Sequence, residues 1–199
     1  MKNRLSLFLA LIVWFALIAQ YFLMIENKTT STVEATIRFF SFFTILTNSL
    51  VALYFTAFFL KSKWIHKPGI LSAIAVYITI VGLVYQVALR HIWHPEGLQR
   101  IVDELLHSII PIIVVIFWSL YEKTKSISYS QILKWAIYPL LYFVYTLIHG
   151  HFSNFYPYPF INVTELGIKA VAINSGIILA LFLIISSLFI FIGKSIIKR

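Results

Sequence analysis

The chain has 199 residues, of which 60% are hydrophobic and only 12% are charged, whereas an average soluble domain has about 25% charged residues. This composition excludes an ordinary soluble domain and predicts a single membrane domain over residues 1–199. The lack of cysteine excludes disulfides, thiolate metal sites and cysteine nucleophiles. The formal net charge is +9. Lys and Arg cluster at the ends of apolar stretches, so anionic lipid headgroups explain this charge better than nucleic acid does.

Six apolar stretches predict an all-α fold, a bundle of six transmembrane helices. The stretches cover residues 5–25, 37–60, 70–89, 101–121, 132–148 and 170–192. All but the fifth reach the ~20 residues with which an α-helix crosses a bilayer. The fifth stretch contains Pro139 and several tyrosines, which predicts a kinked or partly interfacial helix.

The distribution of basic residues predicts the orientation. With both termini in the cytoplasm, eleven of the 16 Lys and Arg residues fall on the cytoplasmic side. The positive-inside rule therefore predicts a multi-pass protein with cytoplasmic termini, in a plasma membrane or in the inner membrane of a bacterium. The other side keeps five basic residues, Lys28, Arg38, Arg90, Arg100 and Lys169.

Two polar residues lie where a membrane helix tolerates them least. Thr44 is seven residues into the second span and His107 is six residues into the fourth. Both spans enter from the outer face in this orientation, so the two residues lie ~10 Å and ~9 Å deep at the rise of an α-helix. Polar side chains at such depth are costly and usually functional. Thr44 and His107 are therefore predicted to meet in the outer half of the bilayer and to form an active site.

The neighbours of this pair suit a site but have ordinary structural roles as well. Ser41, Thr44 and Asn48 share one helix face, and Asp103 lies one turn before His107. An aspartate in that position can orient the imidazole, although water is an equally good partner for it. A threonine inside a membrane helix more often bonds to its own backbone, and an asparagine more often bridges two helices.

Three short segments resemble known signatures. Residues 42–48, FFTILTN, resemble the second-helix signature of the androgen-induced-gene and androgen-dependent TFPI-regulating protein family. Residues 107–111, HSIIP, are similar to the H-[ST]-x-x-P signature in the fourth helix of that family. Residues 156–160, YPYPF, resemble its aromatic-proline loop before the last helix. The length and the six spans resemble most closely the bacterial six-helix relatives.

The resemblance implies an activity. Animal members of the family are threonine hydrolases of lipid esters, acting on fatty acid esters of hydroxy fatty acids. Their essential threonine and histidine match Thr44 and His107, although Thr47 competes with Thr44 for the alignment. Ser108 stands where the family commonly has threonine.

The corresponding chemistry is coherent. His107 would take the proton of the Thr44 hydroxyl, and attack on an ester would form an acyl-threonine. Asn48 or Ser41 would donate hydrogen bonds to the oxyanion. Arg38 and Arg90, with Arg100 on the same face, would hold a carboxylate or a lipid phosphate, unless they only anchor the chain to headgroups.

The sequence leaves alternatives open. One is a zinc hydrolase that uses three of the histidines predicted toward the outer side, His91, His94, His107, His149 and His151. Another is a haem or quinone protein with His107 and His149 as ligands. A third is a non-catalytic membrane scaffold, binding protein or permease. The prediction is a threonine-dependent hydrolase of fatty acyl esters that needs no cofactor or metal and whose partners are membrane lipids and its lipid-ester substrate.

Overall fold

The structure is a computed structural model that describes residues 2–122 and 124–195. Within these residues there is no strand, which confirms the predicted all-α class. The helices are α1 (Lys2–Glu26), α2 (Thr32–Ser41), α3 (Phe43–Phe59), α4 (Ile70–Val84), α5 (Gly97–Glu104), α6 (Ile110–Tyr121), α7 (Gln131–Ser153) and α8 (Val163–Ser195). Two π-helical turns, Tyr85–Leu89 and Leu105–Ile109, extend α4 and join α5 to α6. Short 3₁₀ turns cover Lys63–His66, Thr124–Ser126 and Pro159–Ile161.

The described residues contain five helices that are long and apolar enough to cross a membrane, where α4 and α5–α6 are taken with their π turns. The pair α2–α3 makes a sixth if its two bent halves count as one span. Lys123, Lys198 and Arg199, which enter the charge count that predicts the orientation, lie outside the described residues.

Helix α4 lies at the centre of the bundle. It packs against α3, α6 and α8, and Val76 near its middle has no exposed surface. The outer faces of α1, α7 and α8 carry large apolar side chains instead, with exposed fractions of 59% at Phe8, 75% at Leu133 and 66% at Ile173. Extensive exposed apolar faces of this kind suit contact with lipid chains.

The predicted second span is broken. Helices α2 and α3 meet at an angle of 75°, and Phe42 between them has an extended backbone (φ −81°, ψ 127°). Neither glycine nor proline is present there. Two side chains of α7 satisfy the end of α2 instead, since the Tyr142 hydroxyl donates to the Ser41 carbonyl (2.9 Å) and the Tyr145 and Ser41 hydroxyls share a hydrogen bond (3.0 Å).

The break corrects the predicted depth of Thr44, which assumed one straight helix from Ile37. Thr44 is in fact the second residue of α3, so the length of α2 does not contribute to its depth. Ser41 lies before the break and does not share a helix face with Thr44 and Asn48.

The predicted fourth span contains a π turn at His107. Pro111 lies four residues after His107 and has no N–H, so the His107 carbonyl lacks an α-helical partner. The Ile110 N–H bonds to the Leu105 carbonyl five residues back, which closes the π turn. Wide turns of this type are frequent at functional sites.

The last two predicted spans differ from the structure in length. Helix α7 has 23 residues and continues through Pro139 to Ser153, beyond the predicted end at residue 148. Helix α8 begins at Val163, before the predicted start at residue 170, and is kinked at Gly167 (φ 76°, ψ 159°). Both helices lengthen toward the loop that carries the aromatic-proline segment.

Candidate active site

Thr44 and His107 face each other across the bundle. The Thr44 Oγ lies 3.3 Å from His107 Nε2, a hydrogen-bond contact between α3 and the π turn of residues 105–109. Both side chains line one cavity, and only 7% of Thr44 is exposed. The two side chains thus meet as the sequence predicts, at a distance from which the imidazole can take the hydroxyl proton.

The other ring nitrogen of His107 is held by Asp103. Nδ1 lies 3.0 Å from the main-chain oxygen of Asp103 and 3.3 Å from its carboxylate Oδ1. Both neighbours are hydrogen-bond acceptors, so the proton of a neutral imidazole belongs on Nδ1. Nε2 then keeps its lone pair and accepts a hydrogen bond from the Thr44 hydroxyl. The three residues form a hydroxyl–imidazole–carboxylate series of the kind that activates nucleophiles.

Tyr85 supports both His107 and Asp103. Its hydroxyl donates to Asp103 Oδ2, so the buried carboxylate has a partner on each oxygen. Its ring stacks on the His107 imidazole, with centroids 4.2 Å apart and planes at 14°. Tyr85 begins the π turn of residues 85–89, so the two wide turns of the structure meet at this contact.

Tyr158 reaches Thr44 from the loop between α7 and α8. Its hydroxyl lies 3.3 Å from Thr44 Oγ and accepts a hydrogen bond from the Thr44 main-chain N–H at 3.2 Å. The ring stacks on Phe160 (5.2 Å, 5°) and meets Phe42 edge to face (5.8 Å, 84°). Burial raises the pKa of the Tyr158 phenol, so the phenol keeps its proton at neutral pH.

Asn48 bridges the two halves of the site. Its side-chain amide donates to the Thr44 carbonyl at 2.9 Å and to the Leu106 carbonyl at 3.3 Å. Both amide protons are used in this way, so Asn48 has none to offer an oxyanion. Its contacts instead tie the start of α3 to the residue before His107.

Ser41 and Thr47 point away from His107. The Ser41 hydroxyl donates to the Ile37 carbonyl (2.8 Å) and contacts Tyr145, outside the cavity. Ser41 is therefore not positioned as the oxyanion donor that the sequence predicted. The Thr47 hydroxyl pairs with Tyr138 at 3.1 Å. Of the two threonines that fit the family signature, Thr44 is the one that contacts the histidine.

The two predicted arginines separate. Arg38 lines the cavity, pairs with Glu34 at 2.8 Å and lies over the Phe155 ring at 4.6 Å. Arg90 pairs with Glu104 and does not line the cavity, although its guanidinium lies 5.8 Å from the centre of the Tyr85 ring. Of these two arginines, Arg38 is thus the one placed to meet a ligand beside Thr44.

The cavity has a volume of about 630 Å³, within the usual range for small-molecule sites. Its walls are mostly apolar and come from α1, α2, the start of α3, α5 and the π turns. Residues of the three loops at one end of the bundle also line it, among them Lys28, Trp93 and Pro157. Thr44 and His107 therefore share an apolar chamber with a cationic residue from the α1–α2 loop.

The histidines other than His107 do not form a metal site with it in the described residues. Across the described ranges 2–122 and 124–195, no three His, Asp or Glu side chains form a group that could hold a metal ion. His91 Nε2 bonds to the Val87 carbonyl at 2.9 Å, and His149 pairs with Ser153 and stacks on Tyr145. The histidines proposed as zinc ligands are not brought together.

Tyr85 and Tyr158 are the site residues that sequence reasoning missed. In the sequence, residues 156–160 stand out only through their resemblance to the family's aromatic-proline loop. Tyrosines are frequent at membrane interfaces, and the chain has 11 of them. The one signal for Tyr158 was its position between two prolines, which indicates a rigid loop but not a contact with Thr44.

No protein-family model, no curated protein and no solved structure matches the chain.

Proposed function

We propose that this protein is a multi-pass membrane hydrolase of fatty acyl esters, with Thr44 as nucleophile and His107 as general base. The observation that carries the proposal is the buried series from the Thr44 hydroxyl through the His107 imidazole to the Asp103 carboxylate. A threonine hydroxyl is a weak nucleophile until a base takes its proton. In the series, His107 is placed to take that proton, and Asp103 orients the imidazole for the transfer.

The reaction proceeds in two halves. The Thr44 Oγ bonds to the ester carbonyl carbon while its proton passes to His107 Nε2. The carbonyl electrons move onto oxygen, and collapse of this intermediate breaks the bond to the alcohol, which leaves with the proton from His107. Water, deprotonated by His107, then attacks the carbonyl carbon of the acyl-threonine. The bond between that carbon and Thr44 Oγ breaks, His107 returns the proton to Oγ, and the fatty acid is released.

The cavity supports a lipid ester as substrate. Its mostly apolar walls fit an acyl chain, whereas Lys28 and Arg38 provide cationic groups in the lining. A carboxylate or phosphate on the substrate would pair with these groups. The ester would then lie between the apolar walls and the loops, beside Thr44.

The membrane arrangement belongs to the same proposal. We infer six spans, with α2 and α3 as one bent span and both termini in the cytoplasm, in a plasma membrane or bacterial inner membrane. Under this topology the cavity opens toward the non-cytoplasmic face, because residues 27–30, 92–93 and 157–158 line it. The resemblance to the androgen-induced-gene family favours the same site and substrate class. Membrane lipids and the lipid ester are the proposed partners.

Turnover of a long-chain p-nitrophenyl ester by the purified protein tests the proposal. We expect Thr44→Ala and His107→Ala each to abolish turnover, and the double variant to be no worse than either, because nucleophile and base act as a unit. Thr44→Ser should keep some activity, since the attacking oxygen survives. Thr47→Ala is the matched control, because Thr47 is equally buried but pairs with Tyr138. Full turnover in Thr44→Ala would exclude the threonine nucleophile.

A further inference from the structure

The phenol of Tyr158 contacts the Thr44 hydroxyl oxygen at 3.3 Å and the Thr44 main-chain N–H at 3.2 Å. During attack on an ester, negative charge develops on an oxygen that is one carbon atom away from that hydroxyl oxygen. We propose that Tyr158 is a catalytic residue that donates its O–H to the oxyanion of the tetrahedral intermediate. This inference rests on the proposed function of Thr44 as nucleophile. It assigns to the loop between α7 and α8 a part in the chemistry that neither Asn48 nor Ser41 is positioned to take.

The hydrogen-bond directions around Tyr158 support this role. The Thr44 N–H donates to the phenol oxygen at 3.2 Å, so the phenol proton must point elsewhere. Thr44 Oγ, at 3.3 Å, is the acceptor within reach. The Thr44 hydroxyl donates in turn to His107 Nε2. The phenol therefore points its proton at the reacting oxygen before substrate binds.

Attack on an ester creates a second acceptor in the same region. Only one carbon atom separates the oxyanion from Thr44 Oγ in the tetrahedral intermediate. The phenol proton has to turn only from Oγ to that oxygen, while the Thr44 N–H continues to donate to the phenol oxygen. The oxyanion then receives the phenolic hydrogen bond, from a hydroxyl that is itself polarised by the main-chain donor. Donors that are oriented in advance and shielded from water are the ones that stabilise such charge most.

The loop holds the phenol rigidly. Pro157 and Pro159 restrict the backbone on both sides of Tyr158. The ring is fixed by stacking on Phe160 and by its edge contact with Phe42. Tyr158 is buried, and the raised pKa of its phenol keeps the proton in place at neutral and mildly alkaline pH. A protonated, immobile donor is what an oxyanion site needs.

A second tyrosine–threonine pair, whose threonine lies on the same helix as Thr44, provides a control. Tyr138 and Thr47 form a hydroxyl contact of 3.1 Å, close to the 3.3 Å of Tyr158 and Thr44. Its threonine does not contact His107, so Tyr138→Phe removes the same kind of hydrogen bond without touching the proposed chemistry. Tyr158→Phe keeps the stacked ring and removes only the hydroxyl.

The test measures ester hydrolysis and inhibition by an alkyl trifluoromethyl ketone, which would form an oxyanion adduct on Thr44. We expect Tyr158→Phe to lower kcat by about 100- to 1,000-fold with little change in KM. The inhibition constant of the ketone should rise by the same factor as kcat/KM falls, whereas Tyr138→Phe should change neither value more than a few-fold. Wild-type kcat and ketone affinity in Tyr158→Phe would overturn the inference. Activity in Thr44→Ala would instead overturn the proposed function, so the two failures are distinct.

Replacement of Tyr158 by 3,5-difluorotyrosine keeps the test decisive if Tyr158→Phe fails to fold. Fluorination lowers the pKa of a phenol, so a donor role requires the alkaline limb of the kcat profile to move to lower pH. The same replacement at Tyr138 should leave that limb in place. An unmoved limb in the Tyr158 protein would overturn the inference, because a purely structural tyrosine does not link its ionisation to kcat.

Discussion

The ring of Tyr85 lies flat against the imidazole of His107, with centroids 4.2 Å apart and planes at 14°. The hydroxyl of the same tyrosine donates to the Asp103 carboxylate that holds His107 Nδ1. One side chain from the π turn after α4 thus fixes both the tilt of the imidazole and the carboxylate that orients it. This arrangement is the reason that His107 presents Nε2, rather than Nδ1, to Thr44.

Asp103→Asn should lower kcat strongly while leaving the fold intact. An asparagine can turn its amide N–H toward Nδ1, which favours the tautomer with the proton on Nε2 and removes the base from Thr44. The corresponding change in serine proteases lowers kcat about 10⁴-fold, and we expect a loss of at least about 100-fold in ester turnover. Glu104→Gln is the control, because Glu104 neighbours Asp103 but pairs with Arg90 and Ser108. Equal activity of both variants would remove Asp103 from the mechanism.

Asn48→Ala should both destabilise the protein and slow the reaction. The substitution leaves the buried carbonyls of Thr44 and Leu106 without their side-chain donor, at a cost of about 1 to 2 kcal/mol in the free energy of unfolding. The substitution also removes the hydrogen bond that joins α3 to the π turn of residues 105–109. Thr44 and His107 are then held less firmly together, so we expect kcat to fall about tenfold. Thermal unfolding and ester kinetics in detergent measure the two effects. Ser49→Ala is the control, because Ser49 bonds only to the Ile45 carbonyl of its own helix. Unchanged kcat in Asn48→Ala would show that the bridge does not position the pair.

Gly150→Ala should impair the reaction from outside the cavity. A Cβ at Gly150 would overlap the ring of Tyr156, two residues before Tyr158. The ring must shift, and we expect the loop to carry the Tyr158 hydroxyl away from Thr44 and kcat to fall at least tenfold. Gly176→Ala, also within a long helix, is the comparison, because a Cβ there meets no atom within 4 Å. If the two variants have equal kcat, the position of Tyr158 does not depend on this packing.

Reporter fusions test the proposed orientation. Fusions after Lys63, Lys125 and Arg199 should report the cytoplasm, and fusions after Lys28, Gly97 and Asn162 the opposite side. A single reversed loop would contradict the six-span arrangement. It would also change the membrane face toward which the cavity opens, although it would leave the contact between Thr44 and His107 as it is.

The helices, the central pair and the aspartate beside His107 could be predicted from the sequence, but the contacts of Tyr85 and Tyr158 with them could not. Apolar runs specify membrane-length helices directly, and a threonine and a histidine inside such runs stand out because polar groups are rare there. The position of Asp103 one turn before His107 was visible from helical spacing alone. These features depend on the local sequence, so they can be predicted without knowledge of the tertiary contacts.

The rest depends on contacts between distant segments. The break at Phe42 has no glycine or proline signal, because its partners are Tyr142 and Tyr145 of α7. Tyr85 and Tyr158 could not be distinguished by sequence from the tyrosines that line a membrane interface. Their roles come from the packing of the π turn after α4 and of the α7–α8 loop against the site.

Labelling with a fluorophosphonate probe, followed by peptide mass spectrometry, tests the central claim most directly. The probe bonds covalently to activated hydroxyl nucleophiles, so the mass shift identifies the attacking residue. We expect the adduct on Thr44 in the wild-type protein, no labelling in Thr44→Ala or His107→Ala, and retained labelling in Thr47→Ala. An adduct on another residue, or undiminished labelling in Thr44→Ala, would contradict the assignment of Thr44 as the nucleophile.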